Sequence, residues 1–244
     1  MSKLTTSRHW DKSWDKTQRH DIDTNIDSEE LFLYLKDKKY RNIIELGCGG
    51  SGSSLYFFHK KLNYDLYGVD TSIDGLNYLR DNLKKEGIPV KVWKEDILSD
   101  DFSKRYTSSF DVSFSSGLIE HFTDKDLLGV IKTHFDIVRD NGSVIISVPN
   151  GALLRKIIGL MFSPFDTYQR HNLKICKIEA LKKLLKHWGK IEYLDYYGGK
   201  FSSCVSGFKK INNIFELINK LDVDKHKSLF YPSIIFITKK EGNR

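Results

Sequence analysis

The sequence predicts an α/β fold, a parallel sheet covered by helices on both faces. Two observations carry this. Strand-like apolar runs alternate with segments of helical period, the order that builds such a sheet. The first of these runs, Ile43-Ile44-Glu45-Leu46, empties into a glycine-rich turn, Gly47-Cys48-Gly49-Gly50-Ser51-Gly52. At 244 residues and 40% hydrophobic content, the chain is large enough for one sizeable core and too apolar for extended disorder.

Taken in order, strands are expected at Asn42–Leu46, Leu66–Asp70, Val90–Lys94, Phe110–Ser115 and Ser143–Val148. Helical periodicity fills the gaps at Gly52–Leu62, Ile73–Glu86 and Lys125–Arg139. Asn141-Gly142 reads as the turn that closes the last of these helices. After Pro149 the pattern loosens. Leu153–Phe162 reads as an apolar helix of a cap inserted above the sheet, spanning 151–175. Glu179–Trp188 then resumes helical period before a strand at Ile191–Tyr197, a helix at Ile211–Leu221 and a last strand at Ser233–Thr238. One domain over 1–244 is expected, with 1–40 as an amino-terminal helical lid, 41–150 as a ligand-binding core and 176–244 completing the sheet.

The formal charge is +7, with lysines such as Lys182-Lys183 and Lys209-Lys210 spread over the chain and no basic block or arm. That distribution describes a solvated surface, so nucleic acid is not expected as a partner. Cys48, Cys176 and Cys204 are few, odd in number and lack the paired spacing of a zinc site or disulfide framework. Reduced thiols in a cytoplasmic protein are expected, and no metal. The amino terminus lacks the apolar core of a signal peptide, and no stretch is long enough to span a bilayer.

Glycines in a strand-to-helix turn let a ligand approach bare main chain. Glu45 says which kind of ligand. A carboxylate just before the turn repels a pyrophosphate and attracts an ammonium or sulfonium. Acidic-x-Gly-x-Gly, filled by Glu45, Gly47 and Gly49, resembles the first motif of class I, Rossmann-like S-adenosylmethionine-dependent methyltransferases. The chain departs from that pattern where a third glycine is usual: Ser51 stands there, with Gly52 displaced by one. The resemblance runs over about residues 40 to 150 and is nearest to small-molecule enzymes of the ubiquinone-pathway O-methyltransferase and surface-glycan cluster type. It implies a seven-stranded, mostly parallel sheet whose last strand inserts antiparallel beside the sixth.

It also implies roles. Asp70, ending Tyr67-Gly68-Val69-Asp70, lies at the spacing where an acidic residue meets ribose hydroxyls, with capping of the helix starting near Ser72 as the lesser alternative. Asp96 and Ile97 match the turn that binds adenine. Cys48 and Thr71 count with the cofactor residues, and Ser115 and Gly117 bring main-chain groups to the methionine end.

Transfer to a hydroxyl needs a proton acceptor, and histidine suits that task. His121, in the loop after the fourth strand, is the first candidate, with packing or capping as its plain alternative; His171 is the second. Tyr168 and Arg170 are candidate substrate contacts, Arg170 through its planar fork. Trp10 and Trp14, four apart, share a face if helical, as a lid over the cofactor or as a staple to the core. The expected activity is methyl transfer from S-adenosylmethionine to an oxygen, or a nitrogen, of a small molecule such as a sugar or sugar-linked acceptor. The alternatives are an RNA methyltransferase and a catalytically silent adenosyl-nucleotide-binding protein.

Overall fold

The computed structural model describes residues 4–14, 21–22, 29–151, 170–198, 227–231 and 233–242. Within them, β1 (Asn42–Leu46), β2 (Asp65–Asp70), β3 (Val90–Lys94), β4 (Phe110–Ser116), β5 (Val138–Pro149), β6 (Lys190–Tyr197) and β7 (Ser233–Lys239) form a single sheet in the order β3-β2-β1-β4-β5-β7-β6. The first five pair in parallel, and β7 runs antiparallel to both β5 and β6, as the resemblance implies. The helices are α1 (Ser7–Ser13), α2 (Glu29–Leu35), α3 (Ser53–Leu62), α4 (Ile73–Lys85), α5 (Asp100–Arg105), α6 (Asp124–Ile137), α7 (Ile178–Leu185) and α8 (Lys227–Phe230). The helices expected at 153–162 and 211–221 lie outside the described residues.

Both sheet faces are buried because alternate residues feed two separate cores. Ile44 and Leu46 of β1, Val144 and Ile146 of β5 and Phe236 of β7 pack with α5, α6 and α7. Ile43, Ile145 and Ile237, one position out of phase, pack with Leu55 and Phe58 of α3 and Leu76, Leu79 and Leu83 of α4. Period-two alternation with both sides apolar is what a strand covered on two faces requires.

Two local expectations differ from the structure. The helix expected to run to Arg139 stops at Ile137, and β5 already begins at Val138. Its first residues bulge: Val138 pairs with Phe110, whereas Val112 pairs with Ser143, and Asn141 takes up the slack at φ 64°. Arg139 is drawn out of the helix to pair through Nε with the Asp111 carboxylate. The second difference is α5, which is too short at six residues to leave a periodic trace; only its cap is readable, Ser99 Oγ accepting from Phe102 N at 3.2 Å.

Candidate active site

Parallel pairing brings the carboxyl ends of β1 to β4 to one edge, where the turns that follow them meet. The glycine turn owes its shape to two positions. Gly47 sits at φ +70°, and a Cβ there would stand 2.7 Å from Leu118 Cδ1. At Gly49 a Cβ would stand 2.8 Å from Asp70 Oδ2, the atom to which Gly49 N donates at 2.9 Å. Gly49 is therefore required for close approach, not for a turn. The displaced glycine is also explained: Gly52, at φ +83°, makes the left-handed entry into α3, while Ser51 is held by Asn82 Nδ2 donating to its carbonyl at 3.1 Å and by a hydroxyl contact to Ser53 at 2.9 Å.

Asp70 joins two turns. Its Oδ2 accepts from Gly49 N and its Oδ1 accepts from Ser72 N at 2.8 Å, so the carboxylate ties the glycine turn to the start of α4. It does not cap that helix; Ser72 does, its Oγ accepting from Gly75 N at 3.0 Å. Each Asp70 oxygen keeps a second lone pair for a ligand, and burial raises the carboxyl pKa. Glu45, 7% exposed, is pushed up to about 8, first by burial and then by the like charge of Asp70. Among the described residues no cation pairs with either of these neighbouring carboxyls, which suits this edge to a positive group.

Gly47, Cys48, Gly49, Asp70, Thr71, Asp96, Ile97 and Gly117, together with Glu45, all line one cavity of about 1020 Å³. That is at the large end of the range for small-molecule pockets, roughly 300–1,000 Å³. Cys48 is structural within it: its Sγ fills the space above Gly68, and burial raises the thiol pKa well above its ordinary value. Asp96 Oδ1 accepts from Leu98 N at 3.0 Å, which fixes its turn. Ser115 is the exception. It is fully buried, and its Oγ lies 3.0 Å from Nε2 of His134, whose Nδ1 contacts Ser113 Oγ at 3.0 Å. Residues two apart on a strand share a face, so Ser113 and Ser115 point to α6 while Ser116 lines the cavity. Burial pushes His134 down to about 3.

Far segments close the other end. Trp10 and Trp14 do share a face of α1, stacked at 6.4 Å, and both line the cavity. Trp14 lies against Gly75, where a Cβ would come within 2.8 Å of its ring, and Ser72 Oγ donates to Asp11 Oδ1 at 2.7 Å. Trp10 meets the His121 ring edge-on at 4.9 Å. The His121 and His171 rings are 4.7 Å apart. His121 Nδ1 lies 2.8 Å from the Arg170 carbonyl; a carbonyl only accepts, so this nitrogen carries the proton and Nε2 the lone pair. Burial first, then His171, lowers the His121 pKa to about 4 against the pull of that carbonyl. The Arg170 guanidinium reaches His9 Nε2 at 3.1 Å instead of opening onto the cavity. Tyr168 lies outside the described residues.

Residues 43–142 match the family described as a methyltransferase domain. Over those residues the chain carries a methyltransferase domain. Its fold is shared with solved structures at low identity. One is the protein of a study titled for the conversion of a disulfide bond into a thioacetal group during echinomycin biosynthesis, with TM-score 0.64, 15% identity, 98% of this chain and 94% of that one. Another is an S-adenosylmethionine-dependent methyltransferase from Archaeoglobus fulgidus, with TM-score 0.57, 19% identity and 87% and 94% covered. A third, phosphoethanolamine N-methyltransferase 2 of Haemonchus contortus in complex with S-adenosylmethionine, gives TM-score 0.63 and 16% identity over 96% of this chain and 60% of that one. A methyltransferase domain of this fold takes its methyl group from S-adenosylmethionine.

Sequence reasoning passed over several residues that build this methyltransferase cavity. Gly75 is the small residue on which Trp14 rests, and a lone glycine in a helical pattern carries no such message. Leu118 sits against Gly47, and Glu120, 1% exposed, stands next to His121. In sequence His121 and His171 are alternatives, yet Asn172 N donates to the Glu120 carbonyl at 2.6 Å and brings both imidazoles to one place. No helix among the described residues is long and apolar enough to cross a membrane.

Proposed function

We propose that this methyltransferase moves the methyl group of S-adenosylmethionine to a hydroxyl oxygen of a small molecule, a sugar or sugar-linked acceptor ahead of an amine. The observation that carries the reading is one cavity lined by Glu45 and Asp70, whose carboxyls pair with no cation among the described residues, and by Trp10 and His121. Glu45 faces the cationic methionine end of the cofactor. Asp70 takes the ribose hydroxyls on its remaining lone pairs, and Asp96 with Ile97 takes the adenine. The main chain at Ser116 and Gly117 completes the methionine pocket.

The reaction is an in-line displacement. The acceptor oxygen forms a bond to the methyl carbon as the carbon–sulfur bond breaks, the electron pair stays on sulfur, the hydroxyl proton passes to solvent water, and S-adenosylhomocysteine is left. Holding the oxygen in line supplies much of the rate. Trp10 and His121 both line the cavity, and their rings, packed edge to face, give that wall an aromatic surface suited to the CH face of a sugar ring, which supports this acceptor class. The single domain and its lid, α1 over the cofactor, belong to the same reading.

Calorimetry with S-adenosylmethionine, S-adenosylhomocysteine and NAD, followed by labelled methyl transfer to sugar nucleotides, phenols and amines, tests it. Binding of both adenosyl ligands and label in a sugar hydroxyl is the expected result. NAD binding with neither adenosyl ligand retained overturns the cofactor, and label in amines alone overturns the acceptor.

A further inference from the structure

We infer that Glu120, His121 and His171 form a binding site for a first-row divalent cation at the acceptor end of the cavity. One carboxylate oxygen and one ring nitrogen from each histidine lie within 4.8 Å of one another. Ligand atoms about 2.1 Å from a shared cation stand roughly 3–4 Å apart, so closure by about an ångström completes the set.

Three features make this more than proximity. First, the segment bearing His171 is clamped to the segment bearing Glu120 and His121 at three points: Asn172 N to the Glu120 carbonyl at 2.6 Å, Asn172 Nδ2 to the Phe122 carbonyl at 3.2 Å, and His121 Nδ1 to the Arg170 carbonyl at 2.8 Å. Second, the last of these is the outer hydrogen bond that metal-ligating histidines make: it fixes the tautomer and leaves Nε2 as the donor. Third, the donor set is chemically coherent. Two imidazoles and a carboxylate suit Zn²⁺, Mn²⁺ or Fe²⁺ better than Mg²⁺ or Ca²⁺, which favour all-oxygen shells.

Three protein ligands leave coordination positions open, as in catalytic metal sites. His121 lines the cavity, which places the site at the cavity wall. The role there rests on the methyltransferase reading above. An acceptor hydroxyl bound to the cation gives its proton to solvent water, and the resulting alkoxide oxygen takes the methyl group while the carbon–sulfur pair returns to sulfur. The two histidines then act as ligands, and neither is the general base.

The test uses full-length, tag-free protein stripped with a chelator and titrated with Co²⁺. Visible absorption bands saturating at one ion per chain, and displaced by Zn²⁺, are expected. His171→Ala and Glu120→Gln should weaken Co²⁺ binding at least about tenfold while S-adenosylmethionine binding by calorimetry is kept; His187→Ala, at an exposed histidine of the same chain, should change neither. Absence of bands in the wild-type protein at saturating Co²⁺ overturns the site whatever the variants do, as does equal binding by His171→Ala. Cofactor binding without Co²⁺ bands leaves the methyltransferase reading standing and removes the cation alone. Co²⁺ bands without cofactor binding do the reverse.

Discussion

Glu45 and Asp111 are acidic residues on adjacent strands, each 7% exposed, and they are treated oppositely. At the amino ends of the strands, Asp111 accepts from the main-chain N–H groups of Arg41 and Asn42 and pairs with the Arg139 guanidinium. At the carboxyl ends, the charge acting on Glu45 is another carboxylate, Asp70, and the Glu45 pKa rises to about 8. A buried charge that the chain itself neutralises is part of the scaffold. A carboxyl that faces a cavity, and that no cation pairs with among the described residues, is suited to a ligand that brings the positive charge with it.

Breaking the scaffold end should give the largest effect. Asp111→Ala removes the acceptor for two N–H groups and leaves the partly exposed Arg139 without its pair. About 2–3 kcal/mol of unfolding free energy should be lost in urea titrations, the range discounted for that exposure. Affinity for S-adenosylmethionine should stay within about twofold. A large loss of affinity with unchanged stability would show that the two ends are not separate.

Glu45→Gln should do the reverse, with binding of S-adenosylmethionine weakened by about tenfold or more, near 1.4 kcal/mol, and no loss of stability. The pH dependence sharpens this. Below pH 8 the unliganded Glu45 holds its proton, and Asp70, its facing charge, disfavours release. Cofactor affinity should therefore rise with pH toward 8, by up to ~10-fold per unit, and flatten above it. For the unliganded protein the sign is opposite. The folded pKa of about 8 lies above the ordinary 4.5, so this group's stabilisation is full below pH 4.5 and is lost as pH rises through 8. Both slopes should vanish in Glu45→Gln, measured by calorimetry and thermal melts.

The two ends of the cavity also differ in how far the sequence reveals them. The end proposed for the cofactor is built from turns that directly follow strands, so Glu45, Gly47, Gly49, Asp70, Asp96 and Gly117 show themselves through spacing along the chain. The acceptor end is assembled from residues 9–14, 120–122 and 170–172, joined by contacts such as Leu4 N to the His121 carbonyl at 2.8 Å. No local pattern encodes such a meeting, which is why the two histidines read as competitors and Glu120 drew no notice. Ser115 turns its hydroxyl to His134, and the next residue along β4, Ser116, is the one that lines the cavity.

Trp14 joins the two ends, because it packs on Gly75 at the cofactor side while stacking on Trp10 at the acceptor side. Trp14→Ala should lower cofactor affinity several-fold through loss of that cover. Its half-buried position limits the stability cost to about 1 kcal/mol, as read by urea titration beside calorimetry. An intact affinity with a larger drop in stability would make α1 a staple and not a lid.

The smallest effect belongs to the one departure from the glycine pattern. Ser51 does not need a left-handed backbone; that demand falls on Gly52, whose φ is +83°. Ser51→Gly should therefore leave cofactor affinity nearly unchanged and cost at most about 1 kcal/mol, from added freedom in the unfolded chain and the lost hydroxyl contact to Ser53. Gly52→Ala forces a Cβ to 3.3 Å from Leu83 Cγ in a backbone state that disfavours side chains, and it should cost about 1–2 kcal/mol with a matching loss of affinity. If Ser51→Gly instead tightened binding tenfold, the serine side chain would itself be limiting the turn's fit to the cofactor, and the displaced glycine would not be an equivalent solution.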